Sequence, residues 1–299
     1  MQSVIKRLKM DKMFDTSQLL QFITFLVNCC KEDEDRLIAL TWQKDSANYI
    51  YAHPVNVCIY SLSIGCKLSF TDKQLTYLGM AALLHDVGEI KLPERMRGKA
   101  AKFTESELSA MRQHPKLGYE LLKRFPYIHE DVLMGVLHHH ERIDGSGYPS
   151  GHIGRFIHPL GKIIAVAEIF DAMTSDRHSA TSIPATDVLK VIYSKSGKHY
   201  EPEVVNALIT ITGMYPVGSL VRLNGGQLAV VLKKNMADLS KPEVLVITDT
   251  NAQPIAQYTV NLLGDKYNRQ IMYAENASQL KIDTNKYLQS FIAIPKKKT

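Results

Sequence analysis

Five segments of helical texture between residues 49 and 173 each carry a histidine or an aspartate: YIYAHPVNV with His53, ALLHDVG with His85 and Asp86, MRQHP with His114, VLHHHE with His138, His139 and His140, and AVAEIFDAM with Asp171. An imidazole or carboxylate on the core face of a helix is costly to bury unless it is paired or ligates a metal. One such residue would read as a hydrogen-bonded core group. Several helices that each turn one inward would converge, once packed, on a single interior point, as helical bundles do when they build di-metal sites. The expected fold is therefore mainly α, a helical bundle around a metal centre. The donor set is larger than the four ligands of a structural zinc. Its mixture of imidazole and carboxylate suits two octahedral cations such as Fe or Mn. Asp86 is the natural bridge, because a carboxylate offers two oxygens. Two cations about 3.5–4 Å apart lower the pKa of a shared water and clamp the attacking and leaving oxygens of a phosphate ester. That chemistry is hydrolysis by in-line attack.

The rest of the chain divides by texture. Residues 1 to 45 form a helical segment, in which TSQLLQFITFLV has apolar residues at i, i+3 and i+4 and Thr16 or Ser17 as N-cap. From 46 to 212 the pattern stays helical over HPVNVCIYSLSIGCKL, DKQLTYLGMAALLHDVG, TESELSAMRQHPKLGYELLKRF, EDVLMGVLHHHE and LGKIIAVAEIFDAMTSD. Thr104 followed by Glu107 is a capping-box pattern at the head of the third. After Tyr215 the texture changes. GSLVRLNGGQLAVVL holds two apolar runs joined by Asn224-Gly225-Gly226, a hairpin signal, with EVLVIT and QPIAQYTVNL as further strands. A small β-rich module is expected over 213–299, barrel-like and accessory, with a regulatory or dimerisation role.

Composition adds bounds. A net charge of +6, with Lys296, Lys297 and Lys298 clustered at the C-terminus, suits an anionic, phosphate-bearing small ligand. No nucleic-acid polymer partner is expected. Cys29, Cys30, Cys58 and Cys66 have neither zinc-type nor disulfide-framework spacing, and read as small apolar residues in a reducing compartment. No run reaches the roughly 20 apolar residues that span a bilayer. LLQFITFLVNCC is interrupted by Gln21 and Asn28 and lacks a cleavage signal, so a cytoplasmic protein without membrane association is expected.

These residues resemble the HD-GYP family, the subgroup of HD-domain phosphohydrolases that hydrolyses cyclic di-GMP. HDVGEIKLPE is similar to its HD-G-x-I-x-x-P stretch and HHERIDGSGYP to its HHE-x-x-DGSGYP signature. AVAEIFDAMTSDR resembles its metal-binding aspartate helix and SGKHYEPEVVNAL its closing segment, and the motifs occur in order over roughly 45 to 212. The resemblance implies two divalent ions, one held by His53, His85, Asp86 and Asp171, the other by Asp86, His114, His139 and His140. It makes His85 and Asp86 the catalytic pair and His138 a bystander. It places Tyr148, presented by Gly147, with Arg177 and Lys91 at the substrate, and gives pGpG or GMP as product. It also implies partner proteins with diguanylate cyclase domains, met through the Gly147-Tyr148-Pro149 loop. Three positions depart from the pattern. Glu89 stands where the family has a phosphate-holding lysine, Ala180 where it has a guanine-contacting arginine, and Tyr49 where some members have a third-metal glutamate. They leave open a different cyclic dinucleotide, or a catalytically weak sensor or adaptor.

Overall fold

The structure is a computed structural model that describes residues 6–8, 10, 14–42, 49–96, 103–175 and 182–292. Its chain forms two compact units: Met1–Glu32, Lys44–Ser182 and Val191–Leu208 in the first, and Asp33–Gln43, Ile183–Lys190 and Ile209–Thr299 in the second. The residues read as one N-terminal helical segment are divided between the two.

The first unit is helical: α1 (Ser17–Glu32), α3 (Tyr49–Lys67), α4 (Asp72–Leu84), α5 (Glu105–Met111), α6 (His114–Leu122), α7 (Glu130–His138) and α8 (Pro159–Thr174). Helix α2 (Glu34–Leu40) belongs to the second unit, and the division falls within α9 (Ala185–Ser194) and α10 (Pro202–Thr212). Helices α3, α4 and α8 are apolar nearly all round, which marks helices enclosed by others. Tyr60 of α3 meets Phe170 of α8 edge-to-face with centroids 5.0 Å apart, and Leu62, Ile64, Leu78, Leu83 and Ile164 of the same three helices are buried. Each such side chain contributes about 1.5–3 kcal/mol by leaving water. Capping boxes start α4 at Thr71 with Gln74 and α5 at Thr104 with Glu107, the second as the sequence predicts.

One expected helix is two. TESELSAMRQHPKLGYELLKRF breaks after Met111 and restarts at His114, with Pro115 in the first turn of α6. Proline disfavours helical backbone in the residue before it and has no N–H to donate, so it suits a helix start rather than an interior. The break sets His114 at the head of α6. The one-turn 3₁₀ segment Val87–Lys91 then lies directly on this helix. A Cβ on Gly88 would sit 2.0 Å from the His114 carbonyl oxygen and 2.5 Å from the Gly118 nitrogen, so only glycine permits the approach.

The second unit is built on an antiparallel sheet, β1 (Leu220–Leu223), β2 (Leu228–Lys233), β3 (Glu243–Thr248), β4 (Pro254–Asn261) and β5 (Ile271–Glu275), in the order β4-β3-β2-β1-β5. The predicted Asn224–Gly226 hairpin joins β1 to β2, with Leu220 opposite Val230 and the Gly226 N–H bonded to the Leu223 carbonyl. The two runs read as strands after it are β3 and β4, while β5 and α11 (Asn285–Ile292) are additions to the sequence reading. On one face Leu228, Val230 and Leu232 pack with Ala39 of α2 and Leu288 of α11; on the other Ala229 and Val231 pack with Val221, Val244, Val246 and Val260. Burial on both faces explains why LAVVL is a continuous apolar run rather than an alternating one. Arg269, two residues before β5, donates to the Tyr258 hydroxyl of β4 at 3.2 Å. None of the four cysteines is in a disulfide; Cys30 and Cys58 are buried, Cys29 and Cys66 half-buried. Among the described residues no helix is long and apolar enough to cross a membrane.

Candidate metal centre

The helix ends of the first unit converge on Asp86. It follows α4 in the sparsely populated bridge region, φ −93° and ψ 8°, where functional residues are often found. Its Oδ2 lies 3.0 Å from His85 Nε2 and 3.9 Å from His53 Nε2; its Oδ1 lies 3.2 Å from His114 Nε2 and 3.6 Å from His139 Nε2. Two groups whose donor atoms lie within 4.8 Å of one another follow: His53, His85 and Asp86, and Asp86, His114, His139 and His140. Asp86 belongs to both.

The rings are aimed by their far nitrogens. His85 Nδ1 meets the Ala82 carbonyl at 2.8 Å, His114 Nδ1 that of Met111 at 2.7 Å, and His139 Nδ1 that of Val136 at 2.6 Å. Each is the carbonyl three residues back, unused at a helix end or turn. An N–H at Nδ1 leaves Nε2 as a lone pair facing inward. His53 Nδ1 instead faces Asp171 Oδ2 at 2.6 Å. Asp171 Oδ1 accepts from Asn56 Nδ2 at 2.9 Å and from the Ser175 hydroxyl at 3.3 Å. The structure thus brings six of the seven expected ligands together, and places Asp171 directly behind His53.

The donor chemistry fits a cation. His114 Nε2 and His139 Nε2 stand 3.1 Å apart with both Nδ1 atoms committed to carbonyls, so a proton or a metal has to lie between the two lone pairs. His85 Nε2 is buried and, though close to Asp86, has no hydrogen-bond partner among the described residues. Burial works against charge on His85 and His114, but Asp86 outweighs it. His85 is raised to about 9, and His114 is also raised. Burial holds His139 down and His140 well down, as neutral imidazoles suited to ligation. Asp86, despite burial, is kept well below the carboxylate range chiefly by His85. Burial and then Asp86 push the Glu89 carboxyl up to about 7. A cluster that would recruit protons in a metal's absence releases them on binding one.

The HHERIDGSGYP loop folds back over this centre. Gly147 lies so close to the preceding chain that a Cβ would sit 2.3 Å from the Arg142 nitrogen and 2.5 Å from Glu141 Cα. Tyr148 N–H donates to the His140 carbonyl at 3.2 Å, and the buried Glu141 carboxylate accepts from Ser150 N at 2.8 Å and His152 N at 3.0 Å. Tyr148 stacks on the His140 ring with centroids 4.5 Å apart and lies 5.9 Å from the Arg112 guanidinium. Burial raises its phenol, so it stays protonated. His138 is outside both donor groups; its Nδ1 accepts from His158 N–H at 3.0 Å, anchoring the chain before α8. Lys91 is exposed at the end of the 3₁₀ segment. Arg177 and Ala180 lie outside the described residues.

Sequence reasoning passed over Asn56, Glu141 and Glu168. The signal was present for two of them: Asn56 is three residues after His53 and Glu168 three before Asp171, the spacing that shares a helix face.

A family model described as HD domain matches residues 36–204. The chain belongs to the HD domain family, and its HHERIDGSGYP segment is the one that resembles the HD-GYP signature. It is 33% identical over 261 residues to the cyclic di-GMP phosphodiesterase PA4108 of Pseudomonas aeruginosa, covering 87% of this chain and 63% of that one. It is 38% identical over 145 residues to the cyclic di-GMP phosphodiesterase response regulator RpfG of Xanthomonas campestris pv. campestris, covering 48% and 38%. A 3'3'-cGAMP-specific phosphodiesterase of Vibrio cholerae is 30% identical, over 56% of this chain and 36% of that one. The chain thus spans between about one third and two thirds of these relatives' lengths. Among solved structures, Bd1817, an HDG"Y"P protein from Bdellovibrio bacteriovorus, shares the fold at TM-score 0.53 and 22% identity, over 61% of this chain and 58% of that one.

Proposed function

We propose that the chain hydrolyses a phosphodiester bond of a cyclic dinucleotide, cyclic di-GMP in the first place, to pGpG or GMP. The observation that carries the reading is Asp86, one carboxylate whose two oxygens face two groups of inward-aimed histidines. Two divalent ions, Fe or Mn, suit that donor set. His53, His85 and Asp86, with Asp171 set behind His53, would hold one; Asp86, His114, His139 and His140 would hold the other. The chemistry such ions supply is Lewis acidity toward the phosphate and a more acidic water. The chain's own residues do the rest. The imidazoles hold position through their Nδ1 partners, Asp86 balances charge on both sides, and the loop held by Glu141 presents Tyr148 as a neutral hydrogen-bond donor at the mouth. Arg177 and Lys91 are the further substrate contacts we assign, and residues 46–212 the hydrolase domain with 213–299 as accessory module. The same loop would serve partners with diguanylate cyclase domains.

A second reading, turnover of another cyclic dinucleotide, is favoured by Glu89, a carboxyl facing Asp86 where a cation would help hold phosphate. The test is turnover of cyclic di-GMP, cyclic di-AMP and 3'3'-cGAMP by anaerobically prepared protein with Fe(II) or Mn(II), products being separated by chromatography. Appearance of pGpG or GMP, lost in His139→Ala, supports the first reading. Turnover of 3'3'-cGAMP or cyclic di-AMP alone supports the second. Tight binding of all three without product would replace both with a sensor.

A further inference from the structure

Four of the five imidazoles in the two donor groups have an acceptor at Nδ1: three have a backbone carbonyl and His53 has Asp171. His140 is the exception: among the described residues no backbone carbonyl meets its Nδ1. The group facing that atom is the carboxylate of Glu168 on α8, whose Oε2 lies 3.6 Å away. That same Oε2 is buried and has no hydrogen-bond partner among the described residues. An orphaned buried carboxylate oxygen beside a ring nitrogen that needs an acceptor is a matched pair, since each removes the other's desolvation cost.

We infer that Glu168 is the positioning residue of His140: its carboxylate accepts the Nδ1–H, fixes the ring as the tautomer with a lone pair at Nε2, and so aims that nitrogen at the Asp86 side of the centre. The inference rests on the reading of this cluster as a metal centre. It gives the second donor group an orienting carboxylate, as Asp171 orients His53 in the first. The two acids are one helical turn apart on α8, so a single helix aims one ring in each group. Tyr148, stacked on His140, inherits the alignment. Partners of this kind typically change metal affinity by about 10–100-fold when removed.

Two variants separate positioning from mere packing. Glu168→Gln keeps an oxygen that can accept Nδ1–H; Glu168→Met keeps the volume without the acceptor. The ring nitrogens of His140 are read by nitrogen-15 NMR of metal-free protein, assigned by their loss in His140→Asn, and Mn(II) affinity by calorimetry. The expected result is a protonated Nδ1 in the parent and in Glu168→Gln. Glu168→Met should show a mixed tautomer and about 10–100-fold weaker binding of one ion. An unchanged tautomer in Glu168→Met overturns the inference, and so does outright loss of one ion from Glu168→Gln, which would make Glu168 a ligand. Protein that binds no divalent ion at all defeats the reading of the site, while the tautomer measurement still decides whether Glu168 aims His140.

Discussion

The two units bury charge in opposite ways. In the second, ions that are buried or half-buried are closed by their opposites. Lys234 Nζ lies 2.7 Å from both Glu34 and Asp35, Arg222 pairs with Glu275 at 2.6 Å, and Arg269 grips Asp265 through Nε at 2.9 Å and Nη2 at 2.6 Å. In the first, one carboxylate faces four imidazole nitrogens, two ring nitrogens stand 3.1 Å apart, and a buried ring nitrogen has no hydrogen-bond partner among the described residues. The closed pairs are finished structures, whereas the open cluster gathers more ring nitrogens than its one carboxylate can pair. Burial alone does not mark a site; what marks it is donors that converge without cancelling.

That contrast is broken most forcefully at Asp86. Asp86→Ala removes the ligand common to both groups and should abolish ion binding and lower turnover by at least about 10³-fold, some 4 kcal/mol, as read by metal analysis and product formation. On the closed side, Lys234→Met strips the partner from two acids, one of them the buried Asp35, and should cost about 3–5 kcal/mol in denaturant unfolding. The pair has survived burial because Asp35 and Glu34 outweigh the desolvation of the ammonium. A smaller effect separates the units by linkage. Mn(II) at about 100 times its Kd should stabilise the parent by about 2.7 kcal/mol and leave Asp86→Ala, which has lost the residue common to both groups, nearly unmoved; equal stabilisation of both would show that the cluster is not where the ion goes. The smallest concerns Asp265, whose carboxyl Arg269 lowers from 3.8 to about 2. A depressed carboxylate contributes stability above its unfolded value and loses it as pH falls through its folded value. Asp265→Asn should therefore lower Tm by a few degrees at pH 7, by roughly the 2–4 °C expected per kcal/mol, with the gap closing between about pH 4 and pH 2.

The helical class and the metal centre were legible because a histidine in an apolar helix has few reasons to be there, and five such helices have one reason in common. The hairpin at Asn224–Gly226 was legible through its turn residues. Residues whose role is to hold another residue were harder to see. Asn56 looks like any helix-face polar group until Asp171 is found 2.9 Å away, across 115 positions of chain. Glu141 sits inside the motif, but its clamp on Ser150 and His152 exists only once the loop has turned back. The split between α5 and α6 was visible in Pro115, yet the amphipathic pattern on both sides masked it. Strand β5 is short and exposed, and nothing in IMYAE outweighs the loop residues around it.

The carbonyl acceptors behind His85, His114 and His139 carry a consequence for how this centre can change over time. Peptide carbonyls are present whatever side chain a mutation supplies, so three of the rings keep their aim through drift in their surroundings. His53 takes its bearing from the side chain of Asp171 and so lacks that insurance. Natural variation that retunes which ion is bound, or how tightly, should therefore collect at Asp171 and its contacts rather than behind the other three rings. Each donor group thus holds at least one ring aimed by the backbone and one, His53 or His140, that faces a side chain of α8.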